Sequence, residues 1–133
     1  MSTNAYIGKQ LKGGRIVAVY CHAGRDAGKV LFEHYKTSKK VKDLISLGDL
    51  SSVEKLVAPR SGSTHSWKTP KDNVTIAYSR ERGDKFSQKW FNNENELLFE
   101  NFGHTYLFKR GKWHFCNTDK NHKFVEIDEH TEF

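Results

Sequence analysis

Arg15-Ile16-Val17-Ala18-Val19-Tyr20-Cys21-His22-Ala23-Gly24-Arg25-Asp26-Ala27-Gly28-Lys29-Val30-Leu31-Phe32-Glu33-His34-Tyr35 is the stretch on which the fold turns. Residues 15–22 are apolar on both faces, with Val17, Val19 and Cys21 on one and Ile16, Ala18 and Tyr20 on the other, the pattern of a covered central strand. A Gly-punctuated turn follows, and Val30, Leu31, His34 and Tyr35 then recur at helical spacing, predicting a helix over 26–35. A strand feeding a helix in this way points backbone N–H groups at Gly24 to Lys29. Arg25 and Lys29 add charge where a helix start already favours phosphate or carboxylate, so the turn is a candidate anion site. The plainer reading is a strand-to-helix connection with two solvated charges. The spacing falls one residue short of a P-loop, and Val30 stands where Ser or Thr would hold Mg²⁺, which argues against an NTPase.

Working outward, Ala5 to Leu11 alternates as a strand, and Lys12-Gly13-Gly14 supplies the hairpin turn into residues 15–22. Thr37-Ser38 caps a second helix whose Val41, Leu44 and Ile45 share one stripe, with Gly48 as its stop. Residues 49–56 read as a short third helix ended by Pro59. Residues 60–72 form a loop long for a compact domain, which is either a binding lid or an inert connection. Val74 to Arg82 alternates as a strand that changes from apolar to cationic along one face. Phe86 to Phe91 is a short strand, and Asn93 caps a helix over 94–102 with Leu97, Leu98 and Phe102 inward. Thr105 to Arg110 and Lys112 to Cys116 make a second hairpin about Gly111, with a last strand over 124–128. Strands grouped at both ends with helices between them predict an α+β fold: a mostly antiparallel sheet with three to four helices covering one face.

The 133 residues suit a single domain over 1–133, able to bury a core without a metal or disulfide. With 13% aromatic and 29% charged residues the chain is polar yet too rich in rings for disorder. Its mean hydropathy is -0.75. No apolar run approaches a membrane span and the N-terminus lacks the regions of a signal peptide, so the expected location is cytoplasmic, with no membrane partner. Cys21 and Cys116 sit in strand-like apolar runs and read as reduced core residues. The net charge of +6 comes wholly from the N-terminal half, where residues 1–67 hold 11 Lys/Arg against 5 Asp/Glu, while 68–133 hold 11 of each. An anionic partner should meet that half first. Residues 126–133, with Glu126, Asp128, Glu129 and Glu132, read as a solvated, flexible acidic tail.

Alternation on the strand over 74–82 puts Arg80 and Arg82 on one side, where they could clamp a phosphate, or simply stand as exposed charges with Glu81 paired. His22, at the mouth of the turn, is the stronger functional histidine, and His34 at the far end of the helix is better read as packing. His104, His114, Cys116 and His122 sketch a zinc site, but no metal-ligand spacing supports it, so no metal and no cofactor are expected. The aromatics from Trp90 to Phe115, Phe99 and Phe102 among them, read as core; basic neighbours at Lys109, Arg110 and Lys112 leave a single-stranded nucleic-acid surface open as the less favoured reading. No catalytic triad, nucleophile elbow or carboxylate pair stands out.

Tyr20-Cys21-His22, the run from Gly28 to Tyr35, the run from Lys40 to Ser52 and Val74 to Gly83 together resemble a family of small, uncharacterised tailed-phage accessory proteins. Members of that family carry a longer turn with a Trp-Asp-Gly pattern where this chain has Ala23-Gly24-Arg25-Asp26, so no role of that Trp carries over. The resemblance implies an anti-defence protein acting in the host cytoplasm, and one such action is to bind and hide a nucleotide signal such as cyclic ADP-ribose or a cyclic dinucleotide. On that expectation Arg25, Lys29, Arg80 and Arg82 meet phosphates, Tyr20 or Tyr78 stacks on a base, and His22 orients a ribose or phosphate, all around a common hollow. A homo-oligomer completing the site between chains stays open. The alternatives are a protein-protein inhibitor of a host enzyme and a phosphodiesterase acting on the same signal.

Overall fold

The structure is a computed structural model that describes residues 4–61, 63–100, 103–117 and 123–133. The first hairpin pairs β1 (Ala5–Gln10) with β2 (Ile16–Cys21) in full register from Ala5↔Cys21 to Gln10↔Ile16. Gly13 and Gly14 turn it at φ of 93° and 95°, a region that costs other residues strain. After α1 (Gly24–His34) and α2 (Ser38–Ile45) come the short strands β3 (Leu50–Ser52) and β4 (Ile76–Ala77). Then follow α3 (Tyr78–Arg82), β5 (Lys89–Phe91) and α4 (Glu94–Phe99). The second hairpin, β6 (His104–Lys109) and β7 (Lys112–Asn117), turns through Arg110 and Gly111, and β8 (Val125–Glu126) closes the edge.

All eight strands belong to one mixed, largely antiparallel sheet of order β4-β3-β2-β1-β6-β7-β8, with β5 paired to the lower half of β2. The parallel pairs are β1 with β6 and β2 with β3. The fold is therefore α+β. β2 is central and covered on both faces, as its apolar pattern requires. Val17, Val19 and Cys21 join Leu31, Tyr35, Val41, Leu44 and Ile45 of α1 and α2, while Ile16 and Ala18 pack with Tyr6, Phe91, Leu97 and Leu107 on the other face. The helices thus divide between the faces, α1 and α2 on one and α4 on the other. Two expected caps hold: Thr37 accepts the Lys40 N–H and Asn93 accepts the Glu96 N–H. Both cysteines are buried and neither forms a disulfide.

Three local expectations are overturned. The helix over 49–56 is replaced by β3, because the edge of β2 has N–H and C=O groups to satisfy. Asp49 Oδ1 accepts the Tyr20 N–H at 2.9 Å, and His22 N–H and Ala23 N–H donate to Leu50 and Ser51 carbonyls. The strand over 74–82 stops at Ala77, and residues 78–82 coil into α3, which Gly83 ends at φ 81°. Glu81 reaches back to the Ala77 N–H, satisfying a donor that a helix start leaves unpaired. Residues 126–133 are more than a solvated tail. Their carboxylates face water, but Ile127 is buried in the core and the Phe133 ring meets Phe115 and Tyr106 at 5.0 and 5.8 Å between centroids. Phe102 and His122 lie outside the described residues.

Candidate functional site

The seven residues expected to meet a ligand lie on α1, at the end of β2 and on α3. Gly24 to Lys29 lie inside α1 rather than in a turn before it, so Arg25 and Lys29 stand exposed one helical turn apart. Gly28 faces the core: a Cβ there would sit 2.6 Å from the Phe133 ring, so this glycine serves packing. Tyr20 on β2 and His22 just past its end lie together, with the Tyr20 hydroxyl donating to Asn4 Oδ1 at 3.1 Å and lying 3.2 Å from His22 Nδ1. Burial raises the Tyr20 phenol, and the nearby Tyr78, Cys21 and Asp49 push it the same way. Tyr78, Arg80 and Arg82 lie on α3.

On a helix, residues two apart point to different sides, so the clamp expected of Arg80 and Arg82 does not form. Arg80 is already engaged. Its guanidinium donates to the Val57 and Thr75 carbonyls at 2.7 and 2.8 Å and to both oxygens of Glu81 at 2.6 Å. Arg82 makes a paired hydrogen bond to Asp84 and lies over the Trp67 and Tyr78 rings, 4.7 and 4.6 Å from their centroids. Four cavities among the described residues are lined by other side chains than these seven.

Arg80 instead belongs to a buried network that shapes the 60–72 loop. The side chains of Glu81 and His65 are 1% and 3% exposed, and His65 Nε2 lies 2.8 Å from Glu81 Oε1. Lys71 N–H donates to His65 Nδ1 at 2.9 Å, so the hydrogen sits on Nε2 and is given to Glu81. Burial pushes the Glu81 carboxyl up, but the hydrogen bonds from Arg80 and His65, the Arg80 charge and the Ala77 N–H outweigh it, leaving the group below its ordinary range. The chain Lys71–His65–Glu81–Arg80–Val57 therefore ties the far leg of the loop to α3 and to the near leg. A parallel bridge between Leu56 and Val74 joins the two legs directly, supported by Leu56 N–H to Asn73 O and Thr75 N–H to Leu56 O, both 2.9 Å.

Between these legs lies a cavity of about 280 Å³ lined by Lys55, Arg60, Ser63, Lys71, Asp72 and Asn73 among others. Three cations and one carboxylate line it, and a fourth cation stands close by, since Lys40 Nζ donates to the Lys55 carbonyl at 3.2 Å. Asn73 turns the chain into the recess at φ 65°, a conformation Asn tolerates better than most residues. The cationic residues of the loop are legible in the sequence, but their convergence depends on His65 and Glu81, two partners 16 positions apart whose pairing no local pattern announces.

Elsewhere the chemistry is sparse. Burial pushes the Cys21 thiol up to about 12, so it is not a nucleophile. Of the sketched zinc ligands within the described residues, His104 shares a sheet face with Tyr106 while His114 and Cys116 pair with Leu107 and Thr105 on the other. Among the described residues no three His, Cys, Asp or Glu side chains converge as metal ligands, and no helix is long and apolar enough to cross a membrane. Trp90 and Phe99, expected in the core, are 52% and 92% exposed. No family model, no curated protein and no solved structure matches the chain.

Proposed function

We propose that the chain is a binding protein that holds a small phosphate-bearing, nucleotide-like ligand in the recess beneath the 60–72 loop. The observation that carries this reading is the convergence of Lys55, Arg60 and Lys71 on one cavity whose walls are fixed by a buried hydrogen-bond network. Drawing like charges together costs about 1 kcal/mol for each close pair even in water, and more where protein displaces water. An anion in the recess reverses the sign of that term. The volume of about 280 Å³ fits a phosphate or pyrophosphate group and falls short of a complete dinucleotide, so the remainder of such a ligand lies outside it. Ser63 and Asn73 add a hydroxyl and an amide suited to phosphate oxygens. In this reading Arg80 positions the loop and makes no ligand contact. The resemblance to phage accessory proteins extends the proposal to capture, without cleavage, of a nucleotide immune signal in the host.

Thermal unfolding in the presence of inorganic phosphate, pyrophosphate, mononucleotides and cyclic nucleotides tests it. At a hundredfold excess over Kd, binding adds about 2.7 kcal/mol, a rise in Tm on the order of 10 °C for a chain of this size. The expected result is saturable stabilisation by a phosphate-bearing compound, reduced in Lys71→Ala, with the compound recovered chemically unchanged after heat release. No stabilisation by any of them overturns the reading, and recovery of a cleaved compound converts it to the phosphodiesterase alternative.

A further inference from the structure

Phe99 ends α4 with its side chain almost wholly in water, an arrangement that sets a large apolar surface against solvent without any return inside the monomer. Glu96 lies one turn before it on the helix, and Glu100 follows at the C-cap, where it pairs with the exposed Lys89 Nζ at 3.2 Å. Across β5, Trp90 borders two hollows. One, of about 680 Å³, is shared with Phe99 itself. The other, of about 270 Å³, has an apolar floor of Leu11, Val17, Ile45 and Trp90 and carries Lys9 and Lys42 on its rim, with no carboxylate in its lining. Arg15 adds a third cation over the Trp90 ring, 5.1 Å from the centroid. Among the described residues neither Lys9 nor Lys42 has an ion-pair partner, and Glu96 pairs only with the Asn92 amides.

We infer that this face joins two copies of the chain, with Phe99 of each copy seated in the Leu11, Val17, Ile45 and Trp90 groove of the other and its Glu96 and Glu100 set against Lys9, Lys42 and Arg15. Shape and charge both select this occupant. The groove accepts a bulky apolar side chain and asks for carboxylates around it, and the protein displays that combination on α4. Knob and groove stand on either side of Trp90, so a two-fold axis passing near that residue satisfies both contacts at once and closes the assembly as a dimer rather than a filament. Among the described strands β5 pairs with β2 alone, so its outer edge lies within the same interface and is covered by it. The inference is independent of the anion-binding reading, whose recess lies at the other end of the sheet edge, beside β3 and β4.

Sedimentation equilibrium of the full chain over a concentration series reads it directly. The expected result is a reversible species of twice the chain mass, weakened at least tenfold in Phe99→Asp, whose exposed position leaves the monomer fold untouched as checked by an unchanged Tm at low concentration. Lys42→Glu and Glu100→Lys should each weaken the dimer and together restore it, a recovery that a merely unfolded variant cannot give. A monomer at every concentration overturns the inference, and so does a dimer indifferent to Phe99→Asp.

Discussion

At the start of α1, Arg25 and Lys29 stand a helical turn apart in water, outside the four cavities described, whereas beneath the 60–72 loop Lys55, Arg60 and Lys71 face one recess. The first region has the more conspicuous sequence: Gly24-Arg25-Asp26-Ala27-Gly28-Lys29 looks like a phosphate loop. Its glycines, however, are used for packing, with Gly28 against Phe133 and the Gly24 carbonyl accepting the buried Tyr106 hydroxyl at 2.7 Å. The second region has no motif at all. What gathers its cations is a buried carboxylate, Glu81, that fixes both legs of the loop through Arg80 and His65. Charge becomes a site when a rigid frame brings it together, and composition along the chain does not report the frame.

The contrast is broken most sharply at Glu81. Replacing it with Ala strands the Arg80 guanidinium and the buried His65 N–H, and loss of one partner of a buried pair costs about 3 kcal/mol, taken at the low end because Arg80 is 30% exposed. Urea unfolding should show that loss, together with weakened anion binding where the variant is still folded. Asp26→Ala, in the exposed first turn of α1, should cost less than about 1 kcal/mol in the same assay. Equal losses at the two carboxylates would erase the distinction between frame and surface.

Next in size is Gly28→Ala. The new methyl would lie 2.6 Å from the Phe133 ring, so the ring must move or the helix must shift, at about 1–3 kcal/mol. Phe133→Ala in the same chain should recover part of it. A stabilised Gly28→Ala variant, the usual result when a helix glycine gains a methyl, would show that Phe133 does not pack there.

How far the fold could be read follows the range of the forces involved. β2, both hairpin turns, and the caps at Thr37 and Asn93 were legible because each rests on residues within a few positions of one another. Residues 49–56 carry a helical pattern, but their conformation is set by the edge of β2 almost thirty positions earlier, through bonds such as that from the Tyr20 N–H to Asp49 Oδ1. At 78–82 the alternation of Tyr78, Arg80 and Arg82 fits a strand and a short helix equally, and Gly83 with Glu81 decides for the helix. The candidate site was half legible. The length of the 60–72 loop leaves a binding lid and an inert connection equally open, and alternation points Arg80 at a ligand because nothing local shows that its donors end on Val57 and Thr75.

A smaller effect sharpens the comparison by ligand affinity alone. Lys71→Ala and Arg60→Ala remove cations that line the recess but are exposed, so stability should stay within about 0.5 kcal/mol of the parent. Anion affinity should fall about tenfold for each, the scale of one charge-assisted hydrogen bond. The pair Arg25→Ala and Lys29→Ala should leave affinity unchanged. Isothermal titration against the stabilising phosphate compound measures all of them, and equal losses in both regions would return the site to the start of α1.

The finest discrimination is in pH. Glu81 is held below its ordinary range in the folded chain, so the unfolded chain binds its proton more readily and stability rises with pH through that interval. The stabilisation is fully present above the unfolded value of about 4.3 and is lost as pH falls through the lower folded value. Thermal melts between neutral and strongly acidic pH should therefore show a decline in Tm that Glu81→Gln flattens. A decline of the same steepness in Glu81→Gln would assign the acid sensitivity to the surface carboxylates instead. Arg80 would then hold the loop through the Val57 and Thr75 carbonyls without a buried charge beneath it.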